Sequence, residues 1–519
     1  MSWVPDRPTT RTWLGNALFL IALLSGVFGA ILGSAADKTD ERGIAAPGVL
    51  EHHGNAQRSG MFVVPSLTWD RARNLHSDAA FHANVAGSIY AQPLYWHPRG
   101  SNKALLLVAT EQNVVYALDA ATGGEVWKTS LGPPAPRSAL PCGNIDPLGI
   151  TGTPVIDEHS QAIYVDALIH DKAQSTTRHR IFALALKDGT VLSGWPIDVE
   201  AALKAAGKSF NSSVQNQRGA LTVIGKTLYV PYGGHFGDCG DYRGWVVGIS
   251  LAQSHAVRAW STRARGGGIW APGGLVSDGR SLYAVTGNTI GARTWADGEA
   301  VIRLDPELSF SGKAQDFFAP SDWQELDATD ADLGATNALL LNVPGAKPAE
   351  LVLALGKDGK AYLLDRQNLG GIGGSVLANK VSSNPIRAAP ASFPSGNEVR
   401  VAFQAQGAGC PDGASGDLTV IAINAGAPPK LRIAWCAAEN GHGSPIVTTT
   451  DGKANAIVWA IGAEGDNRLH GFRGDNGAVV FSGGAPGDAL GQVRRFQTLI
   501  AAGERLYVTA DQHVYAFRF

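Results

Sequence analysis

Methionine is almost missing from this chain: after the initiator, Met61 is the only one in 519 residues. Cysteine is scarce as well, and Cys142, Cys239, Cys410 and Cys436 form no CxxC, no CxxCH and no adjacent pair. That spacing excludes a zinc knuckle and a covalently attached haem, so no haem is expected. Charged residues are only 17% of the chain, and 43 Lys and Arg balance 45 Asp and Glu. The balance leaves no electrostatic footprint for nucleic acid or anionic lipid. Low charge combined with an apolar fraction of 45% also excludes disorder as the main state.

Long apolar runs are confined to one place. Arg7 and Arg11 precede an apolar stretch over 14–32, and Gly33, Ser34, Ala35 and Ala36 follow it. Positive, apolar, then small is the order of a secretory signal, cleaved after Ala35 or Ala36. An uncleaved anchor is the alternative, because about 19 apolar residues just span a bilayer. The expected division is a signal at 1–36, a leader at 37–79 and one folded unit at 80–519. The mature protein is then periplasmic or secreted, or membrane-anchored if the signal stays. Export permits disulfides. Cys410 with Cys436, and Cys142 with Cys239, are the favoured bridges, with four buried thiols as the alternative.

What the chain has in excess is glycine, 64 residues or roughly 12%, against about 7% in an average protein. From residue 80 the glycines punctuate short β-branched runs. In Ala117-Leu-Asp119-Ala-Ala-Thr122-Gly123-Gly-Glu-Val-Trp127, a strand runs into a turn and a returning strand. Asp and Thr bond the turn amides, Gly takes the positive φ, and Trp is free to lie across the next unit's turn. Weaker copies start at Ile181, Val246, Val301, Ala361, Val420, Leu469 and Val514. Eight units about 45 to 66 residues apart, each with few helical stretches, read as propeller blades. The last unit is only half written at Phe519, so residues 81–98 are expected to complete its blade. The fold class is therefore all-β: a single eight-bladed β-propeller of four-stranded blades.

The Asp-x-x-Thr-Gly-x-x-x-Trp phrase resembles the blade motif of the quinoprotein propellers that carry pyrroloquinoline quinone, over roughly residues 80 to 519. The same blades occur in quinone-dependent alcohol dehydrogenases and in a scaffolding lipoprotein of outer-membrane barrel assembly. Gly266-Gly-Gly-Ile-Trp270 followed by Thr286-Gly287-Asn288 resembles the dehydrogenase segment in which a Trp floors the quinone and an Asn oxygen ligates calcium. A flat aromatic suits a planar cofactor, and Ca²⁺ accepts amide oxygens beside carboxylates. Asp327-Ala-Thr-Asp330-Ala-Asp332 falls where that family places its catalytic Asp. Gly356-Lys357-Asp358-Gly359 matches its loop carrying a cation to the quinone oxygens. The resemblance thus implies Asp330 or Asp332 as the base, Trp270 and Lys357 as quinone contacts, and Asn288 as a calcium ligand.

Departures accompany these matches. The family's calcium-ligating Glu should fall just before Arg243-Gly244, where Cys239 stands, leaving Asp238 as the substitute metal ligand. The adjacent-cysteine ring that caps the quinone is absent. Read singly, each residue has a plainer role: Trp270 as blade packing, Asn288 as a turn cap, the Asp residues and Lys357 as a solvated surface. His52, His53 and His442 show no ligand spacing and receive no role. The Glu51-to-Gly60 leader phrase is expected to pack on the propeller. Two functions follow. One is an exported quinone- and calcium-dependent oxidoreductase acting on an alcohol, sugar or polymer hydroxyl, with a separate electron acceptor. The other is a non-catalytic scaffold presenting its surface to an envelope protein or a glycan.

Overall fold

The structure, a computed structural model, describes residues 48–252 and 254–519. The expected signal at 1–36 and the start of the leader lie outside the described residues. Eight antiparallel sheets make up the fold. Blade 1 consists of Leu94–Trp96, Leu105–Ala109, Val114–Asp119 and Glu125–Ser130. Blades 2 to 8 follow in chain order, with first strands at Val155, Gln215, Val276, Leu339, Ala391, Ile446 and Leu499. Among the described residues no helix is long and apolar enough to cross a membrane.

The turn chemistry read from the sequence is what shapes each blade. Asp119 Oδ1 accepts from the amides of Ala121 and Thr122 at 2.9 and 3.0 Å, and Gly123 sits at φ +77°. Trp127 then reaches the neighbouring blade: its indole N–H donates to Leu186 O at 3.1 Å. A Cβ on Gly189 would lie 2.4 Å from the Trp127 ring, so only glycine fits that turn beneath the indole. Trp435 repeats the arrangement over Gly477, donating to Gly474 O at 3.0 Å. Trp195 departs from it. Blade 2's last strand is only Ile197–Asp198, so Trp195 precedes the strand and lies half-buried between Tyr164 and His255.

Strand alternation makes the ring. Leu105, Leu107 and Ala109 pack with blade 2, whereas Leu106 and Val108 turn the other way, toward blade 8. Similar apolar layers join blades 2 and 3, 3 and 4, 4 and 5, 5 and 6, and 6 and 7. One large cluster joins 7, 8 and 1 and so completes the circle. The closing blade pairs the C-terminal His513–Arg518 with His76–Ser77 and Ala83–Asn84. Its completing strands thus start earlier than the expected 81–98, and Leu94–Trp96 opens blade 1 instead. Residues 85–93 are needed as the connection between those two positions. Both favoured disulfides are formed, Cys142–Cys239 and Cys410–Cys436.

The leader threads the ring. Between Val49 and Val63 it bonds to the first strand, or to the residues just ahead of it, in seven of the eight blades, blade 5 being the exception. Contacts run from Tyr95 and Gln92 (blade 1) and Ile156 (blade 2) to Ser277, Ser392 and Val447. Met61–Val63 adds a parallel strand beside Ile446–Thr449. A single short segment can meet so many first strands only where they converge, at the ring's axis. Fully buried Arg58 holds it there, donating to Leu221 O, Gly273 O and Leu275 O at 2.9 to 3.2 Å and to Glu51 Oε2 at 2.8 Å.

Candidate functional site

Blades 4 and 5 bring the sequence-derived residues together. Trp270 leads into blade 4's first strand, and Asn288 follows its second, Leu282–Thr286. Asp332 opens the turn Leu333–Ala335 ahead of blade 5. Lys357 sits on the tight turn between Glu350–Leu355 and Lys360–Asp365. Glycine permits the convergence at two points. A Cβ on Gly287 would stand 3.1 Å from Asp332 Oδ1 and 3.5 Å from Trp270 Nε1, and one on Gly334 would strike Gly287 N at 2.5 Å. The 333–335 turn therefore rests directly on the backbone beside Asn288.

Lys357 is the centre of the charge pattern. Its ammonium lies 2.6 Å from Asp332 Oδ2 and 3.0 Å from Asp330 Oδ1, and 5.4 Å from the centroid of the Trp270 ring. The Lys357 amide also donates to Asp332 O at 3.0 Å, tying the two loops. Asp332 is buried, whereas Asp330 is exposed at the rim. Burial works against the Lys357 ammonium, but Asp332 and Asp330 outweigh it and raise its pKa.

Sequence reasoning missed Glu299, which is fully buried in this cluster. Its Oε2 accepts the Leu333 amide at 2.6 Å. With its carboxamide nitrogen turned toward them, Asn288 donates to Asp332 Oδ1 at 2.5 Å and to Glu299 Oε1 at 3.2 Å. Burial, reinforced by the Asp332 charge, pushes the Glu299 pKa well up. Burial also raises Asp332, against the pull of Lys357. The available signal for Glu299 was an acid placed directly before the apolar Ala300-Val-Ile start of a strand copy. Asp238 makes no hydrogen bond to this set: its carboxylate accepts from the Tyr242 hydroxyl at 2.5 Å, while its charge adds to the rise of the Asp332 pKa. Cys239, near the position where the resemblance expects a Glu, is held in a disulfide with Cys142.

The donor chemistry fits a hard cation. Turned over, the Asn288 amide would present its oxygen to the same two carboxylate oxygens, giving an all-oxygen set of the kind Ca²⁺ takes. The two acids make such a site anionic, and Lys357 offsets only part of that. Among the described residues no three His, Cys, Asp or Glu side chains are grouped to hold a metal by themselves. The half-buried Trp270 face beside Lys357 offers a flat apolar surface with a cation at its edge, which suits a planar anionic cofactor.

No family model matches the chain, and no curated protein matches its sequence. Solved structures do share its fold. Quinohemoprotein alcohol dehydrogenase ADHIIG from Pseudomonas putida HK5 superposes with a TM-score of 0.63 at 14% identity, over 91% of this chain and 80% of that one. The quinohemoprotein alcohol dehydrogenase of Comamonas testosteroni gives 0.61 at 16% identity, over 91% and 80%. A europium-containing methanol dehydrogenase gives 0.59 at 13% identity, over 91% and 98%. The fold is thus that of the quinoprotein alcohol and methanol dehydrogenases, an eight-bladed propeller.

Proposed function

We propose that this chain is an exported oxidoreductase that binds pyrroloquinoline quinone with a hard cation, Ca²⁺ in the first instance, and oxidises an alcohol, sugar or polymer hydroxyl. The observation that carries this reading is the meeting of Trp270, Asn288, Glu299, Asp332 and Lys357 from two blades in one half-buried cluster. Asn288, Glu299 and Asp332 would hold the cation, and Trp270 with Lys357 would hold the quinone. When bound, the quinone supplies a two-electron acceptor for the hydride of the substrate carbon.

The chain's own residues do the rest. Exposed Asp330 is the carboxylate that a substrate hydroxyl can reach, and it takes the hydroxyl proton. Lys357 steadies that carboxylate from 3.0 Å while its bond to Asp332 fixes where the ammonium points. Buried Asp332 pairs with Lys357 and would be a ligand of the cation. With no CxxCH in the sequence, electrons pass on to a separate acceptor. Location in the periplasm or outside the cell is part of the same reading, supported by the 1–36 segment and by two disulfides, which persist in oxidising compartments.

The test is spectroscopic. Purified protein mixed with quinone and Ca²⁺ should retain quinone absorbance through gel filtration, and D330N should keep the quinone while losing turnover. D332N should instead weaken Ca²⁺ retention. If the wild-type chain retains no quinone at any calcium concentration, the dehydrogenase reading fails and the ring is a binding scaffold.

A further inference from the structure

A second cluster lies on the axis, and none of its side chains belongs to the Trp270–Lys357 group. It is a pocket of about 290 Å³ measured out to its mouth, and its enclosed inner end is only water-sized, so a ligand seats at the mouth. Blades 8, 1, 2 and 3 contribute Phe496, Tyr90, Thr153 and Arg218 to its wall, and the leader contributes His52.

Arg218 is the residue that needs explaining. Its guanidinium carbon stands 4.9 Å over the Phe496 ring and 5.8 Å over the Tyr90 ring. Among the described residues it makes no hydrogen bond and no ion pair; burial disfavours its charge, and Tyr90, Glu111 and Glu464 compensate only from a distance. Nearby cations are already matched: Arg494 pairs with Asp511, and Arg495 with Glu464 at 2.9 Å. Glu111, the buried acid on this side, is committed elsewhere. Its oxygens accept from the Gly149 amide at 2.6 Å and from the Thr151 hydroxyl at 2.8 Å. Arg218 is half-buried with no protein acceptor, so its five donors, fixed in one plane, are open to the pocket. That layout matches a carboxylate, which it can bind through two parallel bonds. The Thr153 hydroxyl, which accepts from the Gln92 amide at 2.9 Å, still has its own proton to donate.

We propose that this axial pocket is a carboxylate-binding site in which Arg218 is the principal ligand and the threaded leader closes the cavity. The site takes a small free carboxylate or the carboxylate arm of a larger molecule entering along the axis, and it exists whether or not quinone binds.

Acetate is the probe, replacing chloride at constant ionic strength in full-chain protein free of quinone and calcium. Saturation transfer to the acetate methyl signal and the melting temperature are both read. Wild type should show transfer and a saturable rise in Tm. R218M should weaken acetate about tenfold or more, the scale of one charge-assisted hydrogen bond. R218K, which keeps the charge but loses the planar fork, should retain a reduced response, and so checks the site if R218M folds poorly. No acetate transfer in wild type, or equal transfer in a folded R218M, overturns the proposal. Bound acetate in a protein that never retains quinone would leave this site standing while the dehydrogenase reading fell. A small carboxylate and a carboxylate arm are told apart by whether acetate alone competes with a longer dicarboxylate such as adipate: equal affinity means the site reads only the carboxylate group, and tighter adipate binding means it reads a larger molecule.

Discussion

At the scale of single residues, the same amino acid has different weight according to where its strand begins. Trp127 lies within a strand, buried over Gly189 and hydrogen-bonded to the next blade, whereas Trp195 lies ahead of its strand and is half-buried. Trp127→Ala should therefore cost about 3–5 kcal/mol, and Trp195→Ala clearly less, as read from urea unfolding midpoints. Trp127's role was legible because turn and tryptophan fall within one phrase of nine residues, Asp119 to Trp127. Glu299's was not, since its partners Asn288 and Leu333 lie in separate loops. Glu111 makes a pH prediction. Burial raises its pKa from 4.5 to about 7. Between those values the unfolded chain has lost the proton that the folded chain keeps, so stability falls as pH rises through that window. The full cost above pH 7 is about 3 kcal/mol. Comparing wild type with Glu111→Gln at pH 5 and pH 8 should show the variant losing less stability over that interval; parallel pH curves would contradict the assignment.

At the scale of elements, the leader departs most from an ordinary connecting segment. The Glu51-to-Gly60 phrase reads as a segment packed on the propeller with no role for its histidines, and His52, His53 and Arg58 are all buried. Burial holds the His53 pKa down at about 3, so the ring is neutral at physiological pH. Arg58 stays charged against the same desolvation because Glu51 and three blade carbonyls receive its protons. Arg58→Met should destabilise the chain by about 3–5 kcal/mol, since it strands the Glu51 carboxylate as well as the carbonyls. Adding Glu51→Gln should restore part of that loss in a double-mutant cycle; strict additivity would mean the pair does not act as a unit.

At the scale of the whole molecule, closure decides stability. Strand 513–518 pairs inward with Arg505–Ala510 and outward with the chain near residues 76–84, so it links the two ends of the ring. Deleting 514–519 should abolish cooperative unfolding altogether, visible as loss of the near-ultraviolet circular dichroism signal. A trimmed but still cooperative protein would show that the ring does not depend on this closure. The two disulfides differ in span, 97 residues for Cys142–Cys239 and 26 for Cys410–Cys436. On loop entropy alone these are worth about 4.7 and about 3.5 kcal/mol. Replacing the longer bridge by two serines should accordingly lower Tm more than replacing the shorter one.

The sequence by itself determined what is local and repeated. Each blade carries its own turn, its Asp and Gly at fixed offsets and its alternating apolar residues, so fold class and blade number could be read from short windows. The order Trp270, Asn288, Asp332, Lys357 was visible for the same reason, each residue sitting in a short phrase beside a strand. Tertiary structure alone decided which distant segments meet. It placed residues 76–84 on the last blade, set Glu299 beside Asn288 and Asp332, and drew the leader into the axis to line the Arg218 pocket. Those outcomes depend on ring closure, because only when eight first strands share one axis do residues hundreds of positions apart, such as Arg58 and Gly273, come within hydrogen-bonding distance.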